Sequence, residues 1–317
     1  VTPQEVQRAA QAVTDAVGAV VVGRERAVRL VLAAVLAKGH VLLEDVPGLG
    51  KTLLARGLAE ALGLDFARVQ CTPDLQPADV TGSFVFDPVA RAFDFRPGPV
   101  FTGLLLADEV NRTPPKTQSA LLEAMQERQV TVEGRTFALP DPFHVLATAN
   151  PVEHEGTYPL PEAQLDRFLL RVGIGYPPAE DEVEVLRRRL ARRTERAAVA
   201  RVLDEGGLAR LQAAVERVEV HDDVLRYCVD LARASRTHPA VEVGASPRGS
   251  QALLLTARAL AVLDGRGHVV PEDVKECAPA ALAHRLVLRA ETWSTGTGAG
   301  EVVADLLGTV AGPAGAR

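Results

Sequence analysis

Two short runs hold residue types that can work together on a phosphorylated substrate. The first is Asp45-Val46-Pro47-Gly48-Leu49-Gly50-Lys51-Thr52, directly after the apolar Val41-Leu42-Leu43 and Glu44. Gly48 and Gly50 allow the backbone to curl so that its N–H groups converge as an anion nest. A helix starting beyond Gly50 adds its positive end to that nest. Lys51 is then placed for the β- and γ-phosphates of a nucleotide, and the Thr52 hydroxyl for Mg²⁺. The usual pattern, G-x-x-x-x-G-K-[ST], opens on glycine, whereas Asp45 holds that position here. The second run is Leu104-Leu105-Leu106-Ala107-Asp108-Glu109, an apolar strand ending in two carboxylates. In a doubly wound sheet, ligands collect at the carboxyl ends of the strands. Asp108 is therefore the candidate Mg²⁺ ligand and Glu109 the residue that polarises an attacking water. Either run alone has an ordinary reading, a chance Gly-Lys-Thr turn or a strand that ends in an acid. Together they point to nucleotide hydrolysis, and paired acids favour water as the nucleophile.

The elements that must position these runs follow from periodicity. Short runs at 41–43, 68–70, 104–107 and 145–148, apolar except for the flanks of Val69, read as buried parallel strands. Residues 53–62 and 117–126 read as helices between them, which predicts an α/β core, a parallel sheet covered on both faces. Tyr176-Pro177-Pro178 punctuates the chain and sets a division at 178/179. Beyond it, helices are expected at 179–193, 208–218, 222–236, 247–264 and 271–288, an all-α domain with a Gly/Ala tail. Residues 83–95 carry Phe84, Phe86, Phe93 and Phe95 around Asp87-Pro88 and read as a β-hairpin; 129–139 reads as another, turning at Glu133-Gly134-Arg135. Thr2-Pro3-Gln4-Glu5 reads as a capped helix start rather than a leader.

The 317 residues suggest about two domains. A net charge of −6 argues against a nucleic-acid coat or an anionic-membrane binder. Cys71, Cys228 and Cys277 are odd in number and far apart, which fits a reducing cytoplasm and no disulfide framework. No apolar stretch is long enough to insert in a membrane. Of 35 basic residues only Lys38, Lys51, Lys116 and Lys275 are lysines.

With both motifs placed, the chain resembles the MoxR family of AAA+ ATPases over nearly its whole length. Val21-Val22-Gly23-Arg24 is similar to the segment lining the family's adenine pocket, and the run from Asp45 to Thr52 to its phosphate loop, which tolerates the missing glycine. The stretch from Leu104 through Gln118 is similar to the magnesium strand and the helix after it. Ala147-Thr148-Ala149-Asn150-Pro151 resembles the sensor-one strand, the run from Pro161 through Arg167 to Phe168 the arginine-finger segment, and Ser246-Pro247-Arg248 the sensor-two helix start. The two hairpins fall where this clade carries its helix-two insert and pre-sensor-one hairpin.

The resemblance implies a P-loop NTPase core at 1–178 and a helical lid at 179–317. It implies that ATP contacts Val22, Gly23, the whole of Asp45, Val46, Pro47, Gly48, Leu49, Gly50, Lys51 and Thr52, and Leu53, with Mg²⁺ on Thr52 and Asp108. Glu109, Lys51, Asn150, Arg167 and Arg248 are implied as catalytic. Arg167 would act from a neighbouring subunit of a homo-oligomeric ring, a hexamer, with Arg248 acting in cis or in trans. Arg112 lies near the same edge, and Gln70 or Thr72 is placed to restrain Glu109. The implied role is chaperone-like remodelling or maturation of client protein complexes with a von Willebrand factor A-domain partner.

The other candidates have plainer readings. His144 and His154 lack a metal-ligand pattern, His221 begins a helix, and Trp293 packs the tail on the lid. Two rival functions remain in view: a DNA-directed motor of the same clade, and a nucleotide switch that scaffolds without hydrolysis. The charge argues against the first, the acid pair and Asn150 against the second.

Overall fold

In the computed structural model, residues 1–46, 48–150, 156–194 and 197–313 are described, those at 293–295 by backbone alone. Helices α1 (Pro3–Gly18) and α2 (Glu25–Leu36) lead into strand β1 (Val41–Glu44) and α3 (Lys51–Leu62). Then come β2 (Phe66–Gln70), α4 (Pro77–Thr81), the hairpin β3 (Gly82–Asp87) and β4 (Ala92–Pro97), and β5 (Leu104–Asp108). Helix α5 (Pro115–Glu127) is followed by the hairpin β6 (Gln129–Val132) and β7 (Arg135–Ala138), β8 (His144–Ala149), α6 (Glu162–Leu165) and β9 (Leu170–Val172). The C-terminal part holds α7 (Ala179–Arg192), α8 (Gly207–Val215), α9 (Asp222–Ser235), β10 (Val241–Val243), α10 (Pro247–Leu263), α11 (Pro271–Leu282), β11 (Val287–Leu288) and α12 (Ala299–Thr309).

The central sheet is parallel, in the order β2-β5-β8-β1-β9. Strands β1, β5 and β8 are near-continuous apolar runs because both faces are covered; β2, expected as a buried strand, lies at the edge and exposes Arg68 and Gln70. Val41, Leu43, Leu104 and Leu106 enter one buried cluster, while Leu42, Leu105, Val145 and Ala147 enter a second on the opposite face. The first cluster also takes in the apolar stripe Val6, Ala10, Val13 and Val17 of α1 and buried residues of α8 to α12. The C-terminal helices are thus packed on the sheet through shared hydrophobic burial, the main source of stability in such an arrangement.

The four expected strands are present with slightly wider bounds, and both hairpins are where they were expected. Strand β9 was not anticipated: three residues with Arg171 in the middle carry no readable period. The C-terminal region is helical, with two additions and two corrections, the first addition being α12, which was not among the expected helices. Val241–Val243 and Val287–Leu288 pair as a short antiparallel ribbon. The expected helix 271–288 stops at Leu282, where the chain tightens through Ala283–Arg285 and turns Arg285 onto the sheet side. Helix α8 likewise stops at Val215, short of the expected 218. Thr2 forms the expected capping box with Glu5, and His221 caps α9. His154 lies outside the described residues, as does the side chain of Trp293.

The hairpins are joined to each other. Phe95 and Phe137 stack with centroids 3.9 Å apart and planes at 11°, and Arg135 lies over the Phe84 ring. Phe86 and Phe93 pair edge-on at the exposed end.

Two buried histidines pin β8 to the chain entering β1. His40 donates from Nε2 to the Met125 carbonyl and accepts at Nδ1 from the Val145 N–H. His144 donates from Nδ1 to the Gly39 carbonyl and accepts at Nε2 from the Gln212 amide of α8. Both rings are neutral in this arrangement, and burial pushes their pKa values down to about 3 for His40 and about 4 for His144. In the unfolded chain they titrate near 6.5. Below that pH the unfolded state binds protons that the folded state refuses, so stability falls as pH falls from 6.5 towards 4. Between pH 7 and pH 5, each ring is expected to remove about 2 kcal/mol of stability. Urea unfolding at the two pH values checks this, with His144→Asn flattening part of the slope; equal midpoints at both would contradict it.

Candidate functional site

Strand β1 delivers the chain to the glycine loop at the edge where the sheet order reverses. Gly48 and Gly50 sit at φ of 87° and 84°, which only glycine adopts without strain. A Cβ at either position would meet nothing within 4 Å, so the need is conformational and the loop's concave side stays open. Lys51 opens α3 and is buried, with its ammonium donating to the Asp45 carbonyl. Burial pushes its pKa down, opposed by the charges of Asp45, Asp108 and Glu109. Thr52 follows, half-buried, in the first turn of the helix.

Asp45 explains how the loop manages without its first glycine. Its Oδ2 accepts from the N–H groups of Ile174 and Gly175, each at 2.6 Å. The carboxylate therefore ties the start of the loop to the segment after β9, instead of facing a ligand. Pro47 lies outside the described residues.

Beside the loop is a cavity of about 360 Å³. Val20, Val21, Val22 and Leu53 form apolar walls, Gly48 to Gly50 one end, and Tyr176, Pro177 and Val185 the opposite side. An apolar cleft ending in a row of backbone N–H groups suits a flat base with a polyphosphate. Gly23 is not among the lining residues: its φ is 69° and a Cβ there would lie 2.2 Å from the Asp181 carboxylate. It is a backbone turn against α7. Tyr176, Pro177 and Val185 had no sequence signal beyond punctuation and helical period.

The acid pair is held by residues from two other strands. The Thr148 hydroxyl, buried in β8, donates to Asp108 Oδ1 at 2.7 Å and accepts from the Glu109 N–H at 2.7 Å. Arg68 of β2 donates to Asp108 Oδ2 at 2.6 Å. Glu109 takes a left-handed conformation, φ 60° and ψ 49°, costly for a residue with a side chain. Its Oε2 accepts from Gln70 Nε2 at 2.7 Å and from Arg112 Nη1 at 3.2 Å. Of the two candidates for restraining Glu109, the hydrogen bond comes from Gln70. Thr148 was legible as a hydroxyl inside a buried apolar strand; Arg68 carried no such mark.

Asn150 follows β8 and is buried, with its carbonyl accepting from the Asn111 amide. Asn111 Oδ1 is itself a buried acceptor with no partner among the described residues. Arg167 and Arg248 lie elsewhere. They line a separate cavity of about 290 Å³ that shares no residue with the one at the loop. His144 is a core residue, as described above. The three cysteines are free and buried, the Cys71 and Cys228 thiols pushed up to about 12 by burial. Among the described residues no group of three His, Cys, Asp or Glu can hold a metal ion alone. Mg²⁺ with a nucleotide needs only one or two protein oxygens, the rest coming from phosphates and water. The Thr52 hydroxyl and Asp108 carboxylate are hard oxygen donors of that kind.

Comparisons with known proteins agree with this geometry. Residues 40–170 match the model of the ATPase family associated with various cellular activities (AAA), and residues 233–306 that of the AAA lid domain. The chain is 48% identical to the uncharacterized protein YeaC of Bacillus subtilis, over 93% of this chain and 92% of that one. It is 44% identical to Chaperone MoxR1 of Mycobacterium tuberculosis, over 93% of this chain and 80% of that one. The crystal structure of a Cytophaga hutchinsonii protein superposes with a TM-score of 0.91 at 39% identity, covering 98% and 96% of the two chains. No helix of the described residues is long and apolar enough to cross a membrane.

Thr148→Val keeps the shape of the side chain but removes the donor to Asp108 and the acceptor for the Glu109 N–H. It is expected to cost about 1–3 kcal/mol in urea unfolding. A variant as stable as the parent would show that neither bond matters to the fold.

Proposed function

The chain belongs to the MoxR family of AAA+ ATPases, and from that premise we propose that it hydrolyses ATP in a Mg²⁺-dependent reaction as one subunit of a ring. The observation that carries this reading is the placement of Thr148: it lies beside Leu43 of β1, the strand that leads to the glycine loop and buried Lys51, and it hydrogen-bonds both Asp108 and Glu109 at the end of β5. Adenine occupies the apolar cavity between Val22, Leu53 and Tyr176. The loop N–H groups and Lys51 hold the phosphates, and Thr52 and Asp108 hold the metal ion. When bound, that ion neutralises charge on the β- and γ-phosphate oxygens. Glu109, once released by Gln70 and Arg112, accepts a proton from the attacking water. The water oxygen bonds to the γ-phosphorus as the bond to the β–γ bridging oxygen breaks, leaving ADP and phosphate. Asn150 orients the water or the γ-phosphate.

Arg167 and Arg248 complete the site of a neighbouring subunit. Their shared cavity, separate from the loop cavity of the same chain, supports action in trans for both. On this reading the core is 1–178 and the lid 179–317. Nucleotide sits at their junction, since Tyr176 and Val185 flank the same cavity. Lid movement then transmits hydrolysis to the joined hairpins, whose exposed Phe86 and Phe93 contact a client protein. The relative named Chaperone MoxR1 supports a chaperone-like role. A von Willebrand factor A-domain partner in the cytoplasm completes the proposal.

Steady-state phosphate release tests the chemistry. Lys51→Ala is expected to lose nucleotide binding and turnover together. Glu109→Gln should keep binding, trap ATP and lower turnover by about a hundredfold or more. Parent-level turnover in either variant would refute the assigned role. Subunit mixing tests the ring: Arg167→Ala and Lys51→Ala subunits, each inactive alone, are expected to regain turnover when co-assembled.

A further inference from the structure

Arg167 and Arg248 come from parts of the chain about eighty residues apart, yet both line the cavity of about 290 Å³. Lys38, Arg128 and Arg285 also line it, and among the described lining residues Asp166 is the acidic one. That carboxylate is already engaged on both oxygens. Asp166 Oδ1 accepts from Arg285 Nε at 2.7 Å, and Oδ2 accepts from the Ser246 hydroxyl at 3.0 Å.

The two partners reach Asp166 from either end of the α10–α11 pair. Arg285 follows α11, and its side chain is only 3% exposed. Its remaining N–H groups donate to the carbonyls of Asp166, Phe168, Leu169 and Ala281. Every donor of the guanidinium fork is thereby used, three of them on the backbone that carries Arg167. Ser246 is the N-cap of α10: its Oγ accepts from the Arg248 N–H at 3.1 Å while its proton goes to Asp166. A single hydroxyl thus links the start of the helix bearing Arg248 to the residue next to Arg167. A guanidinium in the first turn of α10 opposes the helix dipole, an arrangement that favours an anion close by. The carboxylate that would otherwise neutralise the cluster is spent on Arg285 and Ser246, so Arg167 and Arg248 face the cavity without it.

We propose that Asp166, held by Ser246 and Arg285, is the positioning residue that presents Arg167 and Arg248 as one unit to the triphosphate of a neighbouring subunit. This rests on the ring reading given above and adds to it. The finger is fastened to α10 and to the turn after α11 rather than to the sheet alone. When nucleotide moves those elements in one subunit, both arginines move together in the next subunit's site. Asp166 and Ser246 do not touch the nucleotide; they act through the arginines.

The test separates positioning from folding through Ser246. Ser246→Asp retains an acceptor to cap α10 but has no proton to donate and sets a second carboxylate against Asp166. Ser246→Thr retains both acceptor and donor. In homomeric rings, Ser246→Asp and Asp166→Asn are each expected to lower turnover about ten- to a hundredfold, the scale of a misplaced catalytic group. Binding of a fluorescent ATP analogue to the subunit's own site should stay within about twofold of the parent's, because that site lies in the other cavity. Ser246→Thr is expected to recover parent turnover. Mixing Ser246→Asp with Lys51→Ala subunits should restore turnover, since each supplies what the other lacks; mixing Ser246→Asp with Arg167→Ala should not, because both are defective on the same face. Turnover of Ser246→Asp equal to the parent's overturns the proposal. So does failure of Lys51→Ala subunits to rescue it while they rescue Arg167→Ala. If Arg167→Ala itself is not rescued, the trans reading fails instead.

Discussion

The site depends on burying one ammonium group at the carboxyl edge of a parallel sheet. A buried charge is tolerated only when charges and hydrogen bonds around it compensate. Around Lys51 the compensation comes from the Asp45 carbonyl and from Asp108 and Glu109, acids whose own positions are fixed by other strands. Thr148 bridges the two acids, Arg68 balances one and Gln70 restrains the other. The left-handed backbone at Glu109 is strained, and that strain persists because Thr148 and Gln70 hold the residue at both its N–H and its carboxylate. None of these groups is placed by its own strand alone.

Two of the cavities differ in character. One is lined by apolar side chains and the glycine loop that leads into Lys51; the other by a cluster of cations whose single carboxylate is internally engaged. In the proposed ring the cationic cavity of one copy meets the phosphate loop of the next, a head-to-tail contact of the kind that closes into rings. The proposed ring would let each charge imbalance be met by a neighbour. Asp166 ties the cationic side to α10 and the turn after α11, while Asp45 ties the phosphate loop to the segment after β9. Both ties are carboxylates that work on the frame and not on the ligand.

Much of the fold was legible because it rests on local pattern. Buried strands announced themselves as apolar runs and the glycine loop as conformational necessity. The hairpins showed as clustered aromatics and turn residues. What was missed lacked such a mark. Strand β9 is three residues long, and the turn after Leu282 exists because Arg285 is drawn to the backbone at 166–169. At the site, Lys51, Thr52, Asp108 and Glu109 were singled out from residue type and order. Asp45 was singled out with them as a ligand contact, and its carboxylate instead braces the loop. Gly23 similarly proved to be a turn against Asp181.

By itself the sequence determined which residues can do chemistry, because a Gly-Gly-Lys-Thr loop and a strand ending in Asp-Glu are local arrangements. It also determined the class of fold, because hydrophobic period depends on neighbours a few residues apart. Tertiary structure alone decided which partners hold those residues. Asp45 meets Ile174 across 129 positions, and Asp166 meets Arg285 across 119. Pairings at such separation follow from how the layers pack, and hydrogen bonding leaves no periodic trace along the chain. The separation of the cavity beside the glycine loop from the one that Arg167 lines is a consequence of the same packing.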